Sequence, residues 1–534
     1  MVIAPVCRVI GLGVLLVAPA APQTDGPLTA AESSGYRATS RSAHVIEFLD
    51  EAAARAGHVR RFDFGETFEG RPLAGIVAAS PMVDSPEAMR EDPRIVVLIL
   101  GNIHSGECAG KEALLRLIRE LSASPKQPWL ENLVLLIVPN YNADGNDRMA
   151  KNNRPGQAGP VEGMGTRANA QGLDLNRDYM KLESPEARAL AGLMNRWNPH
   201  LFIDCHTTNG SWHRYDLTYD TQHNAASDPR IGDFMRNTMM PAVTGSLENR
   251  GISTFYYGNF NREHTRWSTA DHRPRFGMDY YGLRGRLSIL SEAYSYASYR
   301  RRIEASHAFV SECLDFVSGH RPAVQRLLRD AERRFEAKVG DAIPIRSEMV
   351  AFRDLVTIKG YDPPSHPRRN PGAAVSGEAR KPPGVPRDYE VEFHGDFRPT
   401  KTVSRPFAYA VPAELTQVVE LLHLHGVEMH ELEEDRAAEA EVYRWIALRH
   451  AGRSFQSHRL ASAEVARRRE ERTLSAGVWI VPASQPLGNL AAYLLEPESD
   501  DGAVTWNFLD EQFRVGADYP ILRIVEIREE EHKQ

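Results

Sequence analysis

The chain has 534 residues, 42% of them hydrophobic and 25% charged, with a formal net charge of −7. That length exceeds one ordinary core, so two domains are expected. The acidic balance gives no electrostatic case for nucleic acid, and basic runs such as ARRREER (466–472) sit among acidic neighbours as a solvated face.

Residues 1–21 have the layout of an export signal. Arg8 is followed by the apolar run VIGLGVLLVA and by Ala18-Pro-Ala20 as a small-residue cleavage site. The run is too short to span a bilayer and nothing later comes close, so the expected mature protein is secreted or periplasmic, with no membrane span. Cys108, Cys205 and Cys313 then remain, which excludes a disulfide scaffold and fits small buried side chains.

From about residue 36 to 320, apolar runs alternate with helical periods. RIVVLIL (94–100) and NLVLLIVPN (132–140) suit strands buried on both faces. Between them, Ala113, Leu114, Leu117, Ile118 and Leu121 form one helical stripe. A second helix is expected over 184–197, with Ser184 as N-cap and Pro185 in its first turn, before the strand HLFIDCH (200–206). This is an α/β layered sheet, whose sites form at the C-terminal ends of strands. Residues 338–390 are expected to be a linker, on the strength of the Pro-, Gly- and Arg-rich stretch 361–390. A smaller β-rich or mixed C-terminal domain (391–534) is expected after it, beginning with a strand-helix-strand passage over about 406–432.

His-x-x-Glu occurs four times, at His44/Glu47, His104/Glu107, His425/Glu428 and His430/Glu433. Only His104/Glu107 lies in the turn after a buried strand, with Gly101 and Gly106 allowing a tight path. A zinc site with one open position wants three protein ligands, commonly two histidines and a carboxylate. FIDCH offers His206 from another strand end, with Phe202, Asp204 and His206 on one side and Leu201, Ile203 and Cys205 on the other.

GETFEGRPL, GNIHSGE, VPNYNADGNDR, GLDLNRDY, DCH and LSEAY, in that order, resemble the zinc carboxypeptidases of the carboxypeptidase A type over residues 36–320. The resemblance implies a layered α/β/α mixed-sheet catalytic domain and one zinc per chain, held by His104, Glu107 and His206. It further implies that Asp174 orients His104, that Asn176 and Arg177 hold the substrate's terminal carboxylate, and that Glu292 is the general base acting on a zinc-activated water. The planar fork of arginine suits a carboxylate as lysine does not. Two places depart from the family pattern. DRMAKNNRPG puts Lys151 where the family has the arginine that polarises the scissile carbonyl, with Arg148 and Arg154 nearby. The substrate-capping tyrosine is not cleanly placed, with Tyr280 and Tyr281 as the candidates.

The expected function is therefore a secreted zinc metallocarboxypeptidase, acting on peptides or cell-wall peptides that end in a free carboxylate. A zinc amidase or deacylase acting on cell-wall peptides or N-acyl amino acids would need the same zinc and the same Glu292. An inactive binding protein on this scaffold is disfavoured, because neither a ligand nor the base is missing. Arginines 273, 275, 284 and 286 precede the base, and a preference for acidic side chains would follow if they faced the pocket.

Overall fold

A computed structural model describes residues 26–124, 126–208, 210–335, 339–362 and 377–528. The export signal expected at 1–21 lies outside them. The apolar runs come together in one eight-stranded sheet. Its order is Val59–Glu66, Pro72–Ala78, Leu133–Val138, Ile95–Gly101, Leu201–Thr208, Leu287–Tyr294, Leu217–Thr221 and Thr254–Tyr256. The third to sixth of these are parallel, with antiparallel strands on either side. Every residue of the four parallel strands is buried, because both faces of the sheet are covered.

The two faces feed two cores. Phe202 packs into one of them; Leu201, Ile203 and Cys205 pack into the other. Helix Ala109–Ala123 buries Leu114, Leu117, Ile118 and Leu121 of its stripe in the second core, while Ala113 joins a smaller cluster with Cys108 and Tyr299. Each of those leucine and isoleucine side chains contributes roughly 1.5–3 kcal/mol. Helix Pro185–Trp197 starts where its cap requires, with Ser184 Oγ accepting the Ala187 N–H (3.1 Å) and Pro185 in the first turn. Cys108, Cys205 and Cys313 are all buried thiols.

The C-terminal third differs from the expectation in two ways. Ala342–Asp362, read from sequence as linker, and Val385–Ser404, of which 385–390 was so read, are long strands paired antiparallel. They extend a second sheet through Arg266–Ser268 and Asn259–Phe260. The proline and glycine signal dominated a window whose flanks alternate: Ile343, Ile345, Val391 and Phe393 are buried between exposed or half-buried neighbours. The stretch 363–376 of that expected linker lies outside the described residues. Secondly, the C-terminal region does not keep its core to itself. Leu415, Leu421, Tyr493 and Trp506 belong to the same hydrophobic cluster as Leu98, Met180 and Tyr280. The expected strand-helix-strand passage is present as Ala408–Val411, Thr416–His425 and His430–Glu431, within a six-stranded sheet. Among the described residues, no helix is long and apolar enough to cross a membrane.

Candidate active site

The turn GNIHSGE leaves the strand Ile95–Gly101 at the heart of the sheet. Asn102 takes a left-handed φ of 66° and ties the turn to its neighbour, donating to Asn140 Oδ1 (2.7 Å) and Asn146 Oδ1 (3.0 Å). Gly106 is required by a close approach, since a Cβ there would stand 2.5 Å from Arg154 Cδ. The turn delivers His104 and Glu107 beside His206 on the adjacent strand. The ligand atoms of these three buried side chains all lie within 4.8 Å of one another.

Each histidine is backed by a carboxylate. His104 Nε2 lies 2.8 Å from Asp174 Oδ1, and His206 Nε2 lies 2.9 Å from Asp204 Oδ2. For His104 this contact is a hydrogen bond, which places its N–H on Nε2, whereas Asp204 faces His206 at ion-pair distance; both Nδ1 atoms turn inward, to 3.2 and 3.0 Å from the Glu107 oxygens. Glu107 also accepts the Thr207 N–H (2.9 Å) and an N–H of Arg154 (2.7 Å). Burial opposes its charge, but Arg154 and the two histidines hold its carboxyl well below the ordinary range. Two inward imidazole nitrogens and one ionised carboxylate, with carboxylates behind both rings, form a donor set that fits a tetrahedral zinc ion with one open position.

The same pocket, a cavity of about 140 Å³, is lined by Arg167, Asn176, Arg177, Tyr257, Ala270, Phe276, Leu290 and Glu292, as well as by the metal-site residues. Glu292 pairs in register with His206 across the parallel strands. Burial pushes its carboxyl up to about 8, with Glu107 adding to the rise. Among the described residues, Glu292 Oε2 accepts no hydrogen bond. Asn176 and Arg177 follow Asp174 in one turn. Asn176 Oδ1 accepts the Gly277 N–H (3.0 Å), and Arg177 stacks on Phe276 at 4.1 Å. Burial, helped by the like charges of Arg167 and Arg275, pulls Arg177 below the ordinary arginine value, although Asp174 pulls the other way.

Three residues expected near the substrate are elsewhere. Lys151 is exposed and does not line the pocket. Arg148 pairs with Glu69 on the surface (2.6 Å). Tyr281 is 1% exposed and stacks on Phe202 in the core at 4.1 Å, with Tyr280 buried beside it against His425. Helix Gly277–Leu283 is buried along its length, so neither tyrosine can reach a ligand. Arg154 is at the site, but bound to Glu107 and to Thr207 O (2.9 Å). The four arginines before the base also miss the pocket. Arg275 pairs with Asp501, Arg286 with Glu332 and Arg273 with Asp271, while Arg284 donates to His425 O and Asn195.

The residues missed from sequence are Arg167, Tyr257 and Asp204. Arg167 Nε donates to Asp174 Oδ2 (2.9 Å), and its guanidinium lies 3.3 Å from His104 Nδ1. Nothing in GMGTRANAQG marks it, since the loop has no periodic frame. Asp204 was visible through strand alternation, two residues before His206 and on the same face. The other His-x-x-Glu pairs are away from the site: His44 and Glu47 are exposed, His430 lies on an exposed edge strand, and His425 is a core residue bonded to Tyr280 OH and Met180 O.

The family model described as zinc carboxypeptidase matches residues 45–271. Carboxypeptidase 2 of Trichophyton tonsurans is 21% identical over 481 residues, covering 85% of this chain and 81% of that protein. Carboxypeptidase Z of Homo sapiens is 32% identical over 171 residues, 31% of this chain and 25% of that one. A solved metallo-carboxypeptidase from Pseudomonas aeruginosa, in complex with (2-guanidinoethylmercapto)succinic acid, is 18% identical, covers 53% of this chain and 69% of its own, and superposes with a TM-score of 0.39. Residues 45–271, somewhat under half of the chain, thus match the zinc carboxypeptidase family model, and the relatives found are carboxypeptidases.

Proposed function

We propose that the chain is an exported zinc carboxypeptidase that releases the last residue of peptides ending in a free α-carboxylate. The observation that carries this reading is one pocket holding the His104–Glu107–His206 cluster, the carboxyl of Glu292 and the guanidinium of Arg177. A zinc ion held by the three ligands would supply Lewis acidity to the scissile carbonyl and lower the pKa of a water.

The chain's own residues do the rest. Glu292 takes the proton of the attacking water at its free oxygen and hands it to the departing amine, one carboxyl serving first as base and then as acid. Arg177 forks onto the substrate's terminal carboxylate. Asn176, whose amide oxygen is already occupied by Gly277, offers its NH2 end to the same group. Arg167 takes the carbonyl-polarising position that the family pattern had suggested for Lys151, since it is the pocket cation beside His104. Ala270, Phe276 and Leu290 give apolar surface to the departing side chain.

The test is a peptide library containing free-acid, C-terminally amidated, D-residue and γ-linked members, with products read by mass spectrometry. Single-residue losses from the free-acid members are expected, stopped by a chelator and restored by zinc. Internal cleavage, or amides processed as fast as acids, would overturn the reading.

A further inference from the structure

The strands Arg436–His450 and Ala461–Leu474 form a hairpin in the C-terminal sheet, and its connection reaches back to the pocket. At the tip, Phe455 and His458 bond to each other through both backbone N–H groups, and Gln456 and Ser457 between them have φ of 51° and 67°. A two-residue turn with both central residues left-handed favours Asn-Gly. Gln-Ser is strained there, and such strain persists only where the surroundings hold it.

What holds it is the active-site turn. Gln456 Oε1 accepts the backbone N–H of Asp174 at 2.8 Å. Asp174 in turn holds His104 Nε2 and Arg167 Nε, and its Oδ1 accepts the Asn176 N–H (3.0 Å). Two residues past Gln456, His458 bonds to Glu183 Oε1 (2.7 Å) and Asn507 Oδ1 (3.0 Å).

A second part of the pocket wall is held from the same region. Arg275 is buried between the rings of Phe455 (5.5 Å) and Trp506 (4.7 Å) and pairs with Asp501 (2.7 Å). The next two residues are Phe276, which lies under Arg177, and Gly277, which donates to Asn176. Both walls that carry the carboxylate-binding pair are thus anchored by residues beyond 450, outside the span matched by the family model.

We infer that the C-terminal hairpin is a working part of the active site, with Gln456 the positioning residue that sets the Asp174–Arg177 turn and, through Asp174, the His104 ligand. This rests on the proposed zinc and carboxylate roles of that turn. Gln456 touches neither metal nor substrate; it acts by completing the hydrogen bonding of a buried turn, whose N–H would otherwise lack a partner.

The test uses the full chain. Gln456→Met keeps length and apolar volume without a strong acceptor, Gln456→Ala removes both, and Gln456→Glu restores an acceptor oxygen. Asn195→Ala is the control, because it deletes hydrogen bonds to Leu424 O and from Arg284, none of which lines the pocket, across the same boundary. Three readouts are taken: zinc release to a chelator, KM against kcat on a free-acid peptide, and amide hydrogen exchange over residues 174–177. For Met and Ala the expected result is zinc release faster by about tenfold, the low end for partners of metal-ligating groups. KM should rise by a similar factor, kcat should fall far less, and exchange at Asp174 should be faster. Glu should behave as the parent chain and Asn195→Ala should leave all three unchanged. Parent-like release, KM and exchange in Gln456→Met would overturn the inference, as would equal shifts in the control. Should the parent chain take up no zinc, the metal reading fails on its own, and exchange at Asp174 still decides the role of Gln456.

Discussion

The two ends of the pocket lie close together and are organised in opposite ways. At the metal end, charge is matched. Both histidines have a carboxylate behind them, and Glu107 is held by Arg154, Thr207 and both rings. At the other end, Arg177 is half-buried on Phe276, and Asp174, the acid within ion-pair reach of it among the described residues, stands 3.9 Å away and is already committed to His104 and Arg167. A matched cluster is built to keep its occupant, whereas an undercompensated guanidinium is built to receive an anion and release it. On the proposed function, that difference would separate a resident metal from a passing substrate.

The largest effect that could break this division belongs to Glu292, which serves neither end as a ligand. Glu292→Gln should lower kcat by roughly 10²–10⁴-fold, the value of general acid–base assistance, with zinc content and KM nearly unchanged. Near-normal turnover would name another base, and loss of zinc would make Glu292 a ligand. Next comes the matched end. Asp204→Asn should weaken zinc binding by about 10–100-fold, measured by competition with a chelator, because it removes the charge behind His206. Unchanged affinity would mean that the matching is incidental. The smallest effect should come from Lys151→Ala. With the side chain exposed and outside the pocket, kcat/KM should stay within about twofold, since surface changes away from such features are nearly neutral. A large loss there would return the carbonyl-polarising role to Lys151 and remove it from Arg167.

What could be read from sequence follows from where each residue sits. His104, Glu107, His206 and Glu292 lie on or just past strands whose apolar runs are unmistakable, so their place on the sheet could be inferred from burial and alternation. Asp174, Asn176 and Arg177 were found through a motif rather than a period, and they sit together as that motif implied. Arg167 and Tyr257 lie in passages whose shape is set by distant partners such as Asp174 and Tyr219, and no local pattern encodes that. Tyr281 failed for a related reason. Sequence shows two tyrosines before the base, but only packing shows that the helix carrying them is enclosed on every side. The C-terminal strands were obscured because Pro and Gly at a hairpin's end outweighed the weak alternation along its arms.

The most direct test of the two-ended pocket is a cycle of two changes, one in the protein and one in the substrate. kcat/KM is measured for the zinc-loaded parent chain and for Arg177→Ala, each on one peptide as free acid and as C-terminal amide. The parent chain should favour the acid by about 2–5 kcal/mol, the usual loss when a buried charge pair is broken from one side. Arg177→Ala should erase most of that preference while keeping its zinc. A preference that survives in Arg177→Ala would contradict the account, because the terminal carboxylate would then be recognised somewhere else.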